Sequence, residues 1–134
     1  MTAQAGERLR YKNEDYSMAT EPLGEYLFSR KDINFVFSST ACWRGYIGSW
    51  EIADNKLYLI GLEAYIDNYK EVDLGYVFPN QDKVFAYWFS GHIRVPTGKM
   101  IEYVHMGYNS IFEKDLILEF REGVLISEKE IDNR

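Results

Sequence analysis

Asp54-Asn55 constrains the folding of this chain more than any other pair of residues in it. Tyr46 to Ala53 (YIGSWEIA) precedes it and Lys56 to Leu62 (KLYLIGL) follows, both rich in aromatic and branched side chains at alternate positions. Such residues favour extended backbone, and apolar alternation at period two marks a strand with one buried face. Asp and Asn tolerate positive φ, so the pair reads as a tight hairpin turn. A two-residue loop sets the register, placing Ile52 opposite Leu57, Trp50 opposite Leu59 and Gly48 opposite Gly61. Facing glycines would leave a gap in the sheet for a bend or an inserted side chain.

The strand period recurs along the chain. Val84 to Val95 reads as a long strand, Pro96-Thr97-Gly98 as a turn and Lys99 to Met106 as the return strand. After a loop at Gly107-Tyr108-Asn109, Ile111 to Phe120 and Val124 to Ile131 flank a turn at Glu122-Gly123. Leu9 to Met18 reads as two short strands about Asn13-Glu14. Helical spacing breaks in twice. Leu23, Tyr26 and Leu27, behind Thr20 as N-cap and Pro22 in the first turn, predict a helix over 21–30. Leu62, Tyr65, Ile66 and Tyr69 predict another over 63–70. The first six residues read as a loose tail. A chain of 134 residues suits one domain, and an aromatic content of 16% suits a β-rich core. The expected fold class is therefore α+β, mostly β: an antiparallel meander of about eight strands. It would form a curled sheet, a sandwich or a partly closed barrel, with one or two short helices.

Catalytic candidates depend on the turn at Pro96-Thr97-Gly98. Proline at the first turn position and glycine at the left-handed one make a three-residue loop that pairs Val95 with Lys99. Ile93 then faces Ile101, and His92 faces Glu102 with Arg94 nearby. This register keeps apolar with apolar and charge with charge, unlike the two-residue alternative. His92 and Glu102 are thus a base and its orienting carboxylate, or a cross-strand polar pair on a half-exposed face. His105 falls on the opposite face, which works against a two-His, one-carboxylate metal site. No cofactor or metal is expected. The chain has no GxSxG, P-loop, GxGxxG or HExxH.

The stretch Ser39-Thr40-Ala41-Cys42-Trp43-Arg44-Gly45-Tyr46 concentrates unusual side chains. Its cysteine is the only one in the chain, and without a local base or sister thiols it reads as a small buried hydrophobe. Ser39 and Thr40 read as a turn before the strand. Strand alternation puts Trp43 on one face and Arg44 with Tyr46 on the other. Arg44 would stack on Tyr46 or fork onto a carboxylate, such as Glu51 or Glu63, or onto a phosphate. Trp, Tyr and Arg dominate binding hot spots, so the binding candidates are Trp43, Arg44 and Tyr46. Arg94, His105 and Tyr108 join them as a second surface in and around the 105–109 loop.

The segments STACWRGYIGSWEI…NKLYL and KVFAYWFSG…YVHMGY resemble motifs of a group of small bacterial proteins with no established activity. The resemblance extends from about Tyr16 to Asn133. It implies a bacterial origin and a single compact domain, and it carries over no catalytic or binding residue.

Charge narrows the partners. Fifteen basic residues are scattered among 21 acidic ones, leaving a net charge of −6, which works against a bulk electrostatic grip on nucleic acid. No apolar run approaches a membrane span, and the N-terminus lacks a leader's apolar stretch. A single cysteine suits a reducing cytoplasm. The expectation is a cytoplasmic, non-catalytic protein-interaction module with a protein partner of basic character, steered by charge. One version is an immunity- or antitoxin-like protein, or a subunit of a larger defence- or toxin-related assembly; a homo-oligomer is a further option. The rival is a small-molecule-binding barrel or small hydrolase with a pocket lined by Trp50, Trp88, His92 and Glu102.

Overall fold

The computed structural model describes residues 6–36, 42, 44–104 and 106–134. The chain begins as a hairpin of β1 (Glu7–Tyr11) and β2 (Glu14–Met18). Lys12 and Asn13, at φ 51° and 63°, form its turn one residue earlier than expected. Helix α1 (Leu23–Phe28) follows. Pro22, with φ at −62°, rather than Thr20, occupies its N-cap. Thr20 is drawn away by the sheet, where its hydroxyl accepts the backbone N–H of Arg94 at 3.0 Å.

Strands β3 (Tyr46–Ala53) and β4 (Lys56–Ile66) form the hairpin expected around Asp54-Asn55, whose φ angles are 52° and 60°. Ile52 faces Leu57 and Trp50 faces Leu59, as the turn length requires. A bulge between Ser49 and Trp50 then displaces the register, so Gly48 faces Leu62 and Ser49 faces Gly61. The helix expected over 63–70 does not form. Tyr65 instead donates its N–H to Gly45 O and accepts that of Val36, so pairing claims these peptides before a helix can. A single 3-10 turn, Asp67–Tyr69, with Asn68 at φ 63°, leads into β5 (Lys70–Val72), which folds back on β4. Helix α2 (Leu74–Val77) is capped by the Asp73 side chain.

Downstream, β6 (Val84–Phe85) is a two-residue strand on β4, so the long strand expected from Val84 is interrupted. The expected turn at Pro96-Thr97-Gly98 is absent: β7 (Gly91–Glu102) runs straight through it. Its partner is β8 (Ile111–Arg121), with Pro96 opposite Asp115 and Thr97 opposite Lys114. Gly98, at φ 81°, sits where the register shifts. Proline and a left-handed glycine serve a bulged edge strand as well as a turn, because an edge position does not need the missing N–H. Strand β9 (Val124–Asp132) returns along β8 from the turn at Glu122-Gly123.

Among the described residues nine strands form one sheet, with β2-β1-β3-β4-β9-β8-β7 in order and β5 and β6 both on β4. All pairs are antiparallel except β1 with β3, so the meander becomes a mixed sheet. The sheet curls without closing into a barrel. Its end strands are tied together where Ala19 N–H donates to Arg94 O at 2.8 Å beside the Thr20 contact. Leu9, Met18, Trp50, Leu57, Leu59, Ile93, Val95, Leu118 and Phe120 fill the enclosed core.

Candidate functional site

Past Ala19 and Arg94, β2 and β7 diverge, and a cleft of about 190 Å³ opens between them. Met18 and Ala19 line one wall, Pro96 and Met100 the other, with Tyr103 and Phe112 completing it. Met100, Ile101, Tyr103 and Met106 stand around this end of β7, each between 47% and 50% exposed. Large apolar side chains left half-exposed together are the usual composition of binding surfaces.

Arg94 builds the floor of the loop beside the cleft. Its Nη1 donates to Tyr108 O at 2.6 Å, its Nη2 to Ser110 O at 3.1 Å and its Nε to Asp115 Oδ1 at 3.0 Å. A planar guanidinium can hold three acceptors at once in a fixed fork. Ser110 adds a second tie, accepting the Val104 N–H at 2.9 Å. Arg94 therefore organises the loop from beneath.

Tyr108 lines the cleft, and its hydroxyl donates to Glu21 at the entrance to α1. Glu21 in turn lies 3.9 Å from Arg44 Nε. Arg44, in the turn before β3, has its side chain 9% exposed and donates through Nη2 to Glu7 Oε2 at 2.6 Å. Its guanidinium lies over the Tyr46 ring, 5.4 Å from the centroid. Arg44 thus stacks on Tyr46, but from a turn and not from the strand position expected; the carboxylate partner is Glu7 rather than Glu51 or Glu63. Arg44 Nε and Nη1 have no hydrogen-bond partner among the described residues.

Glu7 is fully buried. It accepts from Arg44, from Gly48 N–H at 2.8 Å and from Trp50 Nε1 at 3.3 Å. Burial pushes its carboxyl above the ordinary carboxylate value, against the pull of the Arg44 guanidinium and the other donors. Gly48 is required here: a Cβ would lie 2.7 Å from both Glu7 Oε1 and Trp50 Nε1. The facing-glycine gap does not form, since Gly48 faces Leu62; the space over Gly48 is instead taken by the Glu7 carboxylate.

The remaining candidates lie elsewhere. His92 faces Glu119, with Nε2 4.0 Å from its carboxylate and 61% of the side chain exposed. Glu102 faces Ile111 at the far end of the same strand. Ten residues of extended chain span roughly 30 Å, so His92 and Glu102 cannot act on one substrate atom. Trp50 is buried with its indole N–H on Glu7, and Trp88 gives its own to Pro22 O at 2.8 Å. The aromatic pocket expected from Trp50, Trp88, His92 and Glu102 does not form. Cys42 is buried, its thiol donating to Tyr46 O at 3.4 Å. Ser39, Thr40, Trp43 and His105 lie outside the described residues.

Sequence reasoning missed Glu7, Glu21 and the cleft. A signal for Glu7 was present, since Glu7, Leu9 and Tyr11 alternate with Arg8 and Arg10 and share the buried face of β1. No comparable signal existed for the cleft, whose walls come from strands at opposite ends of the sheet. No protein-family model, curated protein or solved structure matches this chain.

Proposed function

We propose that the chain is a non-catalytic protein-interaction module whose cleft between β2 and β7 seats one apolar or aromatic anchor of a partner. The cleft carries this reading. At about 190 Å³ it falls below the roughly 300–1,000 Å³ typical of small-molecule sites. A single buried anchor in a pocket ringed by near-neutral contacts is how hot spots are built. Met100 and Met106 add unbranched side chains that adapt to an irregular partner. The net charge of −6 favours a basic partner through its encounter rate. Immunity- or antitoxin-like neutralisation of a basic protein in the cytoplasm is the version that fits these features. The rival hydrolase or ligand-binding barrel draws no support from the positions of His92 and Glu102.

The test compares wild-type chain with Met100→Asp as bait in lysate of the native host, followed by titration of the recovered protein against each. The expected result is a basic protein that binds wild type and loses at least about tenfold in affinity for the variant, with both baits melting at the same temperature. Equal recovery and equal affinity refute the reading.

A further inference from the structure

We propose that the outer edge of β9 accepts an extended, basic segment of a partner protein as an added strand, at a site distinct from the cleft. Strand β9 meets β4 at one register pair only, Lys56 with Val124, reinforced by Leu125 N–H on Asn55 O. From Ile126 to Asp132 its described pairing is with β8 alone, and every one of these residues is exposed. Seven residues at about 3.3 Å each present roughly 20 Å of open edge. None of them lines the cleft.

Backbone geometry decides which residues face outward. Asn133 donates its N–H to Glu113 O of β8 at 2.8 Å. Antiparallel pairs alternate between bonded and non-bonded. Ile131, Lys129 and Ser127 therefore bond inward to β8, while Asp132, Glu130 and Glu128 turn their N–H and C=O groups outward. The residues that would pair with a newcomer are the three that carry carboxylates. A strand docking there places its directly opposed side chains within a few ångström of each carboxylate, which selects Lys or Arg at every second position. The present partners of these carboxylates are Tyr11 OH and Lys12 on Glu128, Lys114 on Glu130 and Arg134 on Asp132. The lysine and arginine contacts are exposed ion pairs, weak enough to exchange.

The same charges disfavour a second copy of the chain in the registers that use most of the open edge; centring on Ser127 avoids like charges but pairs only Ile126 to Glu128 of that edge. A two-fold axis through an antiparallel pair makes one residue face itself. Centring on Lys129 opposes two lysines and sets Glu128 against Glu130. Centring on Glu128 or Glu130 opposes two glutamates. Like charges directly across a strand pair are destabilising.

The probe is an alternating Thr-Lys peptide, about eight residues long to match the edge, with an alternating Thr-Gln peptide as control. Binding is followed by amide chemical shifts and hydrogen exchange. The Thr-Lys peptide should shift amides across Ile126–Asp132 and slow exchange at Glu128, Glu130 and Asp132, while the control does neither. Glu130→Gln removes charge and keeps the N–H; Glu130→Pro removes both, and its lost N–H points away from β8, where proline is tolerated. Glu130→Gln should weaken binding a few-fold, and Glu130→Pro by at least about tenfold more. Alternate N-methylation of the peptide should abolish binding in the unmodified protein, whatever the fate of the proline variant. Met100→Asp should leave all of this unchanged, which separates the edge from the cleft. Equal binding by the two Glu130 variants together with tolerance of N-methylation means charge attraction without strand pairing, and overturns the proposal. Shifts scattered over the surface, or self-association of the chain through β9 in light scattering, overturn it too.

Discussion

Replacing Arg44 by Ala interrogates the centre of the molecule. The substitution removes the 2.6 Å contact to Glu7 and leaves a fully buried carboxylate with only Gly48 N–H and Trp50 Nε1 as donors. Breaking a buried pair from one side costs about 3–5 kcal/mol, because the carboxyl left behind must either stay charged without water or take up a proton. A domain of this length has roughly 7–20 kcal/mol of stability, so the protein should fold but melt about 10–20 °C lower. Urea unfolding followed by tryptophan fluorescence suits the purpose, since Trp50 itself contacts Glu7. The midpoint should fall at constant slope, indicating lost stability rather than a changed denatured state. A companion double variant, Glu7→Gln with Arg44→Met, removes both charges and keeps an amide oxygen for Gly48 and Trp50. It should recover half or more of the loss, as neutral replacements of buried pairs commonly do. A cost for Arg44→Ala below about 1 kcal/mol is the behaviour of a surface pair and refutes the reasoning. So does unchanged stability accompanied by lost partner binding, which makes Arg44 an outward anchor.

Two further outcomes follow from the same cluster and its neighbours. Gly48→Ala should destabilise by about 1–3 kcal/mol through overpacking, because its Cβ would sit 2.7 Å from the Glu7 carboxylate and the Trp50 indole nitrogen; a wild-type melting temperature contradicts that placement. Burial, with the Glu128 carboxylate beside it, pushes the Tyr11 phenol up to about 12, and burial pushes those of Tyr46 and Tyr108 higher still. Folded values above the unfolded one of about 10 mean a contribution fully present below pH 10, lost for Tyr11 as pH rises through about 12 and for Tyr46 and Tyr108 at still higher pH. Phenolate absorbance should therefore show a late phase from Tyr11, Tyr46 and Tyr108 that ionises with unfolding. Titration of all of them near pH 10 in the folded protein is the contrary result.

Local features of this fold were legible and distant ones were not. The hairpin at Asp54-Asn55 and the turn at Glu122-Gly123 followed from residues within a few positions of each other, where turn chemistry and strand alternation agree. At Pro96-Thr97-Gly98 a proline followed by a left-handed glycine predicts a turn, and the structure puts both inside β7. A turn and an edge-strand bulge both accept proline's fixed φ and a left-handed glycine, and the partner strand distinguishes them. The turn would set Glu102 beside His92 as a polar or catalytic pair; in the bulged strand Glu102 faces Ile111 and His92 faces Glu119. The 63–70 segment failed similarly, since helical spacing of four apolar residues yields when β5 and the Gly45 and Val36 peptides offer pairing.

The chain's own order of residues determined that this would be a mostly β, single-cysteine, acidic protein with an aromatic core, because composition and period-two alternation act within a few residues. The identity of the Arg44 partner, the bulge that slides Gly48 against Glu7, and the cleft where β2 and β7 part were decided by tertiary structure alone. Glu7 lies 37 residues from Arg44, and the cleft walls lie at opposite ends of the sheet order. Contacts over such separations arise from how the sheet curls, and the same local pattern is compatible with many ways of curling it.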